Sequence, residues 1–283
     1  QENGAASRFD AVYRLCCRGM VPLTGERTLQ ASCVHPGVAW VNAIAGYGVH
    51  PERYALLALM SGLEAALPYD FFIRSIGKMN INATTLSLQP VPETNLAPEI
   101  LLLNCLTKSY ADLWQSCWEE SYTSMSWAKD DPRLTADTFT SLTDEWNWHT
   151  PLRTDYERRQ ALVELDVLAS MALGIALDEL IDIYRLTFTV LSGYEDDTWY
   201  DANGRIVFSK KNYGDLTFKR PDFEKIKNAP AGEVFPRPIT DDTQPGGPHE
   251  RTIEYVAPFD KCDRVEDYKT AWKFFTQKYG DNK

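Results

Sequence analysis

The stretch TPLRTDYERRQALVELDVLASMALGIALDELIDIYRLTFTVLSGYEDDTWYDANGRIVFS (residues 150–209) is the most internally consistent part of the chain and decides its fold class. Thr154 opens a T-x-x-E pattern, in which the hydroxyl accepts a free backbone N–H at a helix start and Glu157 reaches back to the cap. Leu162, Leu165, Leu168, Ala169, Ala172 and Leu173 then recur at spacings of three and four, which is one helical face. Gly174 stands where that helix should stop, because glycine tolerates the left-handed conformation. A second helix restarts at Asp178 or just before it, with Leu177, Leu180, Ile181 and Tyr184 on one side. Asn203-Gly204, set between Thr198-Trp199-Tyr200 and Arg205-Ile206-Val207-Phe208, is the strongest short hairpin signal in the chain. None of this is catalytic chemistry; it is a scaffold.

Working outward from this stretch, residues 9–18 alternate apolar with basic groups, as a strand or a helical turn would. Residues 28–45 read as two strands joined by a Pro36-Gly37 turn. Pro51 can open a helix over residues 54–73, which Pro68 must kink or break and Gly77 ends. Residues 78–92 are extended. Pro98 opens a helix over residues 99–120. Residues 121–151 form a long aromatic loop, a kind that is more often functional, or wrapped over another surface, than featureless. Residues 210–238 are basic and then rich in proline, residues 240–248 are turn chemistry, and residues 252–257 alternate as a strand. Asp263 starts a last helix whose apolar face is Val265, Tyr268, Trp272 and Phe275. The fold class is α+β. A small-sheet part over residues 1–92 precedes a mainly helical part over residues 93–283, with a hairpin near residues 198–208.

The 283 residues suffice for one large or two modest domains, and the 44% hydrophobic content is ordinary for a globular protein. No apolar run approaches a membrane span and no signal-peptide pattern is present, which places the expected site of action in the cytoplasm. The first residue is Gln1 rather than Met, so the reading expects a piece of a longer protein. The six cysteines have no C-x-x-C spacing and read as free thiols. The net charge of −11 argues against nucleic-acid binding by bulk charge. It is uneven, however: residues 1–92 carry seven Lys/Arg against six Asp/Glu, and residues 205–227 carry seven against three. A phosphate-rich partner would be met by one of these two regions.

Chemistry is sparse. There is no Gly-rich phosphate loop, no H-E-x-x-H and no G-x-S-x-G, and Gly246-Gly247 between prolines is a turn. Asp222 with Asp267 and Lys269 can be forced into a nuclease-like set, but Asp267 falls on the last helix and reads as part of its solvated face. Glu195-Asp196-Asp197 and Asp241-Asp242 read as solvated loops. No metal site is assigned. Arg8, Arg14, Arg18, Arg27, Arg74 and Lys78, with Asn80 and Asn82 nearby, are the residue types that contact phosphates and base edges.

Several runs carry a family resemblance. GERTLQASCVHPGVAW…LLALMSGLEAALPYDFFIRSIGKMNINATTLSLQPVP (residues 25–92) resembles the target-recognition segment of type IIG-like restriction-modification adenine-specific DNA methyltransferases. LLLNCLTKSYADLW (residues 101–114) looks like the helix that follows it. Residues 150–209, together with DDTQPGGPHERTIEYVAPFDKCDRVEDYKTAWKFF (residues 241–275), resemble the C-terminal region of these enzymes, including phage-defence kinds of the DISARM and BREX systems. The family's N-P-P-Y tetrapeptide and cofactor glycine loop are absent from this sequence. The resemblance therefore implies the non-catalytic part that recognises double-stranded DNA. Adenine N6 methylation with S-adenosylmethionine would belong to an upstream domain or subunit. Residue type and position suggest Arg27, Arg74, Lys78, Asn80, Asn82 and Thr84 as recognition contacts, with Lys210, Lys211, Lys219 and Arg220 on phosphates. The rival reading is an acidic protein–protein adaptor of a defence complex that does not touch DNA.

Overall fold

The computed structural model describes residues 8–22, 24–94, 97–243 and 245–280. The first elements are three short antiparallel strands, β1 (Arg14–Arg18), β2 (Ala31–Val34) and β3 (Ile44–Gly48). The two expected strands of residues 28–45 do not pair with each other. β1 lies between them, in the order β2-β1-β3. The reason is burial: Leu15 and Cys17 of β1 are almost wholly enclosed, and the central position covers them from both sides.

Helices α1 (Tyr54–Ala65) and α2 (Leu67–Ile76) are separate and meet at 72°. Pro68 causes the break. It sits in the first turn of α2, where its missing N–H does no harm, and the cap residue Ala66 is extended at ψ 148. Gly77 closes α2 at φ 69. α1 packs on the inner face of the sheet. No single helix among the described residues is long and apolar enough to cross a membrane.

A short helix α3 (Ala83–Leu86) interrupts the expected extended segment, capped by the Asn82 side chain. The expected helix over residues 99–120 is two: α4 (Pro98–Asn104) and α5 (Ala111–Ser116). Tertiary partners override its helical pattern. The Cys105 carbonyl accepts a 2.8 Å hydrogen bond from the Trp146 indole, and the Asn104 amide turns back to the Ile100 carbonyl at 2.8 Å. The long loop that supplies Trp146 also contains α6 (Asp137–Thr140). It buries Tyr122, Trp127, Leu134, Phe139 and Leu142 in the core, so it wraps the helices as structure rather than as a free arm.

Helix α7 (Asp155–Leu173) has the capping box at Thr154 and Glu157, and its left-handed Gly174 stop is at φ 70. α8 (Leu177–Asp182) and α9 (Thr189–Glu195) follow, then the hairpin of β4 (Thr198–Tyr200) and β5 (Ile206–Ser209), with Gly204 at φ 79. Next are α10 (Arg220–Ile226), β6 (Val234–Asp241), β7 (His249–Val256), β8 (Asp260–Lys261) and α11 (Arg264–Tyr279). β8 adds to β4, and β6 pairs with β7 over its whole length. β6 is tolerated despite Pro236 and Pro238 because the two prolines share parity, so their missing N–H groups both face the open edge.

The architecture is α+β. One hydrophobic cluster runs from Tyr13 through Leu57, Ile81, Leu102, Trp114 and Leu165 to Tyr200, so the core is continuous across residue 92. A second cluster joins Leu67 of α2 to α7, α8 and α11, and a third sits under the β6–β7 hairpin.

Ionic groups are buried inside this packing. Asp166 of α7 accepts from the Leu67 amide at 2.7 Å, from Arg264 at 2.7 Å and from the Tyr268 hydroxyl at 2.6 Å. Arg264 also grips Glu195 through two nitrogens, at 2.8 and 2.9 Å. Arg159 bonds Asp267 at 2.6 Å and Glu195 at 3.2 Å, and Lys129 reaches Asp267 at 2.8 Å. Burial alone would raise Glu195, but Arg264 and Arg159 hold it down at about 2. Removing one member of such a set strands a buried charge, at a cost of about 3–5 kcal/mol.

Glu164 of α7 has no such cation. It is fully enclosed, accepts from Gln160 at 2.8 Å and from the Ala128 amide at 3.1 Å through one oxygen, and leaves the other oxygen without a partner. Burial, and then the nearby Glu99 carboxyl, push its affinity for a proton up from the ordinary glutamate value of 4.5. The folded state therefore favours the protonated form. The stability this group contributes is full below that ordinary value and is lost as pH rises towards the raised one. Glu164→Gln keeps the acceptor and supplies hydrogens to the orphaned side. We expect it to raise the melting temperature at pH 8, by about 2–4 °C for each kcal/mol recovered, with the gain vanishing towards pH 4.5. Calorimetric scans of both proteins at the two pH values check this, and an equal shift at both would contradict it.

Candidate nucleic-acid interface

Asp70, one turn into α2, is fully buried. Its carboxylate accepts from Arg27 Nε at 2.6 Å and from the backbone amides of Thr28 and Leu29 at 3.1 Å each. Arg74, one turn further on, lies 3.5 Å from the same carboxylate. It donates to the carbonyls of Gly25 at 2.8 Å, Glu26 at 3.2 Å and Thr187 at 3.1 Å, with its guanidinium 4.4 Å from the centre of the Phe188 ring. A carboxylate without water needs donors, and the segment around Glu26-Arg27-Thr28 supplies them. Arg27 and Arg74 are thus held by internal acceptors rather than standing free. Arg27 places a further nitrogen on the Ala65 carbonyl at 2.8 Å, and Arg74 is ringed by internal acceptors. The segment led by Glu26-Arg27-Thr28 and the helix containing Asp70 and Arg74 are joined by this lock.

An exposed edge follows α2 in the chain. Just after α2, the chain returns along β1: the Val21 amide donates to Met79 at 3.0 Å, the Ile81 amide donates to Gly19 at 2.7 Å, and Met20 pairs antiparallel with Asn80. This holds Lys78, Asn80, Asn82 and Thr84 on the surface in one run. Lys78 has only a 3.4 Å contact to the Thr85 hydroxyl. The Asn82 oxygen caps α3 by accepting from the Thr85 amide at 3.0 Å, which leaves its NH2 group pointing away from the cap bond. Met20 and Met79 flank the run at 62% and 75% exposure.

The basic segment is less free than its composition suggests. Lys211 pairs with Glu26 at 2.7 Å, which brings this segment beside the Asp70 lock. Arg220 is bound to Asp197 and lies 4.5 Å from the centre of the Phe208 ring. Lys225 and Lys227 pair with Asp222 and Glu224, and Arg205 donates to the Glu254 carbonyl. Among the described residues, Lys210 and Lys219 are the exposed members of this segment without a side-chain partner. The hairpin turn at Asn203-Gly204 is docked as well: the Gly204 carbonyl accepts from the Tyr156 amide at 2.9 Å, and Asp155 accepts from Ile206 at 3.1 Å.

The acidic candidates resolve differently. Asp267 belongs to the buried ion set, not to a solvated face, and both its oxygens are taken by Lys129 and Arg159. Glu195 is likewise half-buried at the end of α9 and ion-paired, rather than in a solvated loop. Asp222 is exposed and paired with Lys225. Among the described residues no group of three or more His, Cys, Asp or Glu side chains could hold a metal ion. All six cysteines are free, and burial pushes the Cys17 and Cys33 thiols up to about 12.

Sequence reasoning passed over Gln30 and Ser32. With Cys16, Arg18, Met20 and Ile44 they line a hollow of about 500 Å³ beside Met20 and its partner Asn80. The available signal was strand alternation: in β1, Leu15 and Cys17 point inward, so Cys16 and Arg18 must point out. A larger apolar groove of about 1170 Å³ lies among α1, α4, α7 and α11, with Leu59, Leu168, Met171 and Trp272 in its walls.

Comparison with protein-family models, with curated proteins and with solved structures finds no match to this chain.

If Asp70 locks the segment around Thr28 and Leu29, Asp70→Asn should loosen it locally. Amide hydrogen exchange at Thr28 and Leu29 should speed up by roughly tenfold or more, matching the loss of about 1–3 kcal/mol for a charged buried acceptor. Unchanged protection at both amides would show that the lock is not what holds them.

Proposed function

We propose that this chain is the non-catalytic DNA target-recognition part of a site-specific adenine-N6 DNA methyltransferase of a restriction-modification or phage-defence system. The observation that carries the reading is the exposed run of Lys78, Asn80, Asn82 and Thr84, fixed beside the end of β1 by the Met20–Asn80 pairing and the Val21–Met79 and Ile81–Gly19 backbone bonds. A lysine, two amides and a hydroxyl on a rigid edge are the donors and acceptors that position a phosphate backbone and meet base edges. Lys210 and Lys219 are exposed cations available for phosphates. Methyl transfer would belong to an upstream domain or subunit that binds S-adenosylmethionine and receives the adenine once it has left the stack. No residue of this chain is assigned to that cofactor: Gly246 and Gly247 lie between β6 and β7 rather than at a helix start.

The apolar groove favours a second reading, an acidic adaptor that docks a protein partner and never touches DNA. The net charge of −11 and the internal pairing of the basic segment point the same way.

Binding of a labelled duplex by this chain across a salt series separates the two. The recognition reading expects affinity that falls steeply with salt. Lys78→Glu should weaken binding and reduce the slope of log affinity against log salt by about 1. No binding at low salt, or binding indifferent to Lys78→Glu, would overturn it.

A further inference from the structure

The open face of the three-stranded sheet treats its arginines unequally. Arg14, Cys16 and Arg18 share that face of β1 by alternation, since Leu15 and Cys17 are buried on the other. At one end the face is closed. Arg14 is only 1% exposed: Trp40 lies 4.5 Å and Phe9 5.1 Å from its guanidinium, and it donates to the Val38 carbonyl at 2.7 Å. Trp40 also lies on Gly46, where a Cβ would come within 2.9 Å of the indole. At the other end the face is open. Arg18 is exposed, and among the described residues its guanidinium has no hydrogen-bond or ion-pair partner. The Arg18 amide bonds the Gln30 carbonyl at 3.2 Å, Ile44 is the partner of Arg18 on β3, and Ser32 is the partner of Cys16. Gln30 and Ser32 are exposed as well, and Gln30 makes only a 3.5 Å contact, to the Arg27 carbonyl. Past Arg18, Met20 and its partner Asn80 continue the same face.

We propose that Arg18, flanked by Gln30 and Asn80, is the base-reading group of this chain, and that its ligand is the major-groove edge of duplex DNA. This rests on the recognition reading above and adds which residues set specificity. A planar guanidinium offers two parallel N–H donors, which match the O6 and N7 acceptors of guanine. A carboxamide offers one donor and one acceptor, which match N6 and N7 of adenine. Arg18 ends the central strand, with Gln30 bonded beside it and Asn80 paired to Met20, the next outward residue, so the three polar side chains lie along one end of the sheet. Lys78 and Thr84, on the neighbouring edge, then meet the backbone rather than the bases.

The test is selection of bound duplexes from a randomised pool, with sequencing, for the wild-type chain and for Arg18→Ala, Arg18→Lys and Gln30→Ala. Arg18 is exposed, so its replacement leaves the core intact, and circular dichroism confirms the fold. The wild type should enrich a site containing a guanine. Arg18→Ala and Arg18→Lys should both lose that preference, by roughly tenfold at one position, while Arg18→Lys keeps the salt dependence. Gln30→Ala should relax a neighbouring position instead. If Arg18→Ala selects the same site with uniformly weaker affinity, Arg18 is a phosphate contact and the inference fails while DNA recognition stands. If the wild type binds no duplex at all, the recognition reading fails and this inference with it.

Discussion

Pro68 breaks a helix inside the protein, and the break leaves the Leu67 amide without a helical acceptor. Asp166 of α7 takes that amide at 2.7 Å, and much of the remaining arrangement follows from this bond. A carboxylate sealed from water must have cations and donors around it. Arg264 at the start of α11 and the Tyr268 hydroxyl one turn later provide them. Arg264 in turn needs more negative charge than Asp166 gives, and Glu195 at the end of α9 completes its surroundings. Arg159 then bridges Glu195 to Asp267, and Lys129 from the long aromatic loop closes the set. Four helices and a loop are thereby held in one relative placement. Apolar packing surrounds this network, and loss of any one member would strand a buried charge among these elements.

The exposed edge depends on the same break. α2 leaves Pro68 at a steep angle to α1, which carries Asp70 under the segment around Arg27 and delivers residues 78–84 to the side of β1. Arg27 and Arg74 serve this placement from inside, and the groups left outside are a lysine, amides, a hydroxyl and Arg18. The rim carries mixed donors and acceptors on a paired backbone, which is what the proposed recognition requires. Loose presentation of the same groups would carry affinity but little discrimination, because each contact must be aligned to tell one base from another.

Local signals were legible in the sequence, and long-range ones were not. The Thr154–Glu157 cap, the Gly174 and Gly77 stops, the Pro68 break and the Asn203-Gly204 turn all act within a few residues, and each is found where its chemistry put it. Arg264 and Asp166 are 98 residues apart, and Arg159 and Asp267 are 108 apart, so nothing local marks them as partners. Asp267 therefore read as surface. Arg27 and Arg74 read as free for the same reason: residue type shows what a guanidinium can hold, but not that Asp70 already holds it. The helix over residues 99–120 looked continuous because its apolar spacing is good, yet Trp146 claims a carbonyl in its middle. β6 was hidden by its two prolines, which are harmless on one edge of a two-stranded ribbon. The outward face of β1, with Arg18, could be inferred from alternation alone, but its partners Gln30 and Asn80 required the register.

The central claim is that duplex DNA lies along the end of the sheet where Arg18 and the 78–84 edge meet. Hydrogen–deuterium exchange of the chain with and without a bound duplex tests it most directly. The account predicts added protection in residues 16–20, 30–32 and 78–84, and none in residues 168–176 or 272–279 along the apolar groove. Protection of the groove, with the sheet end unchanged while the duplex is bound, would contradict it.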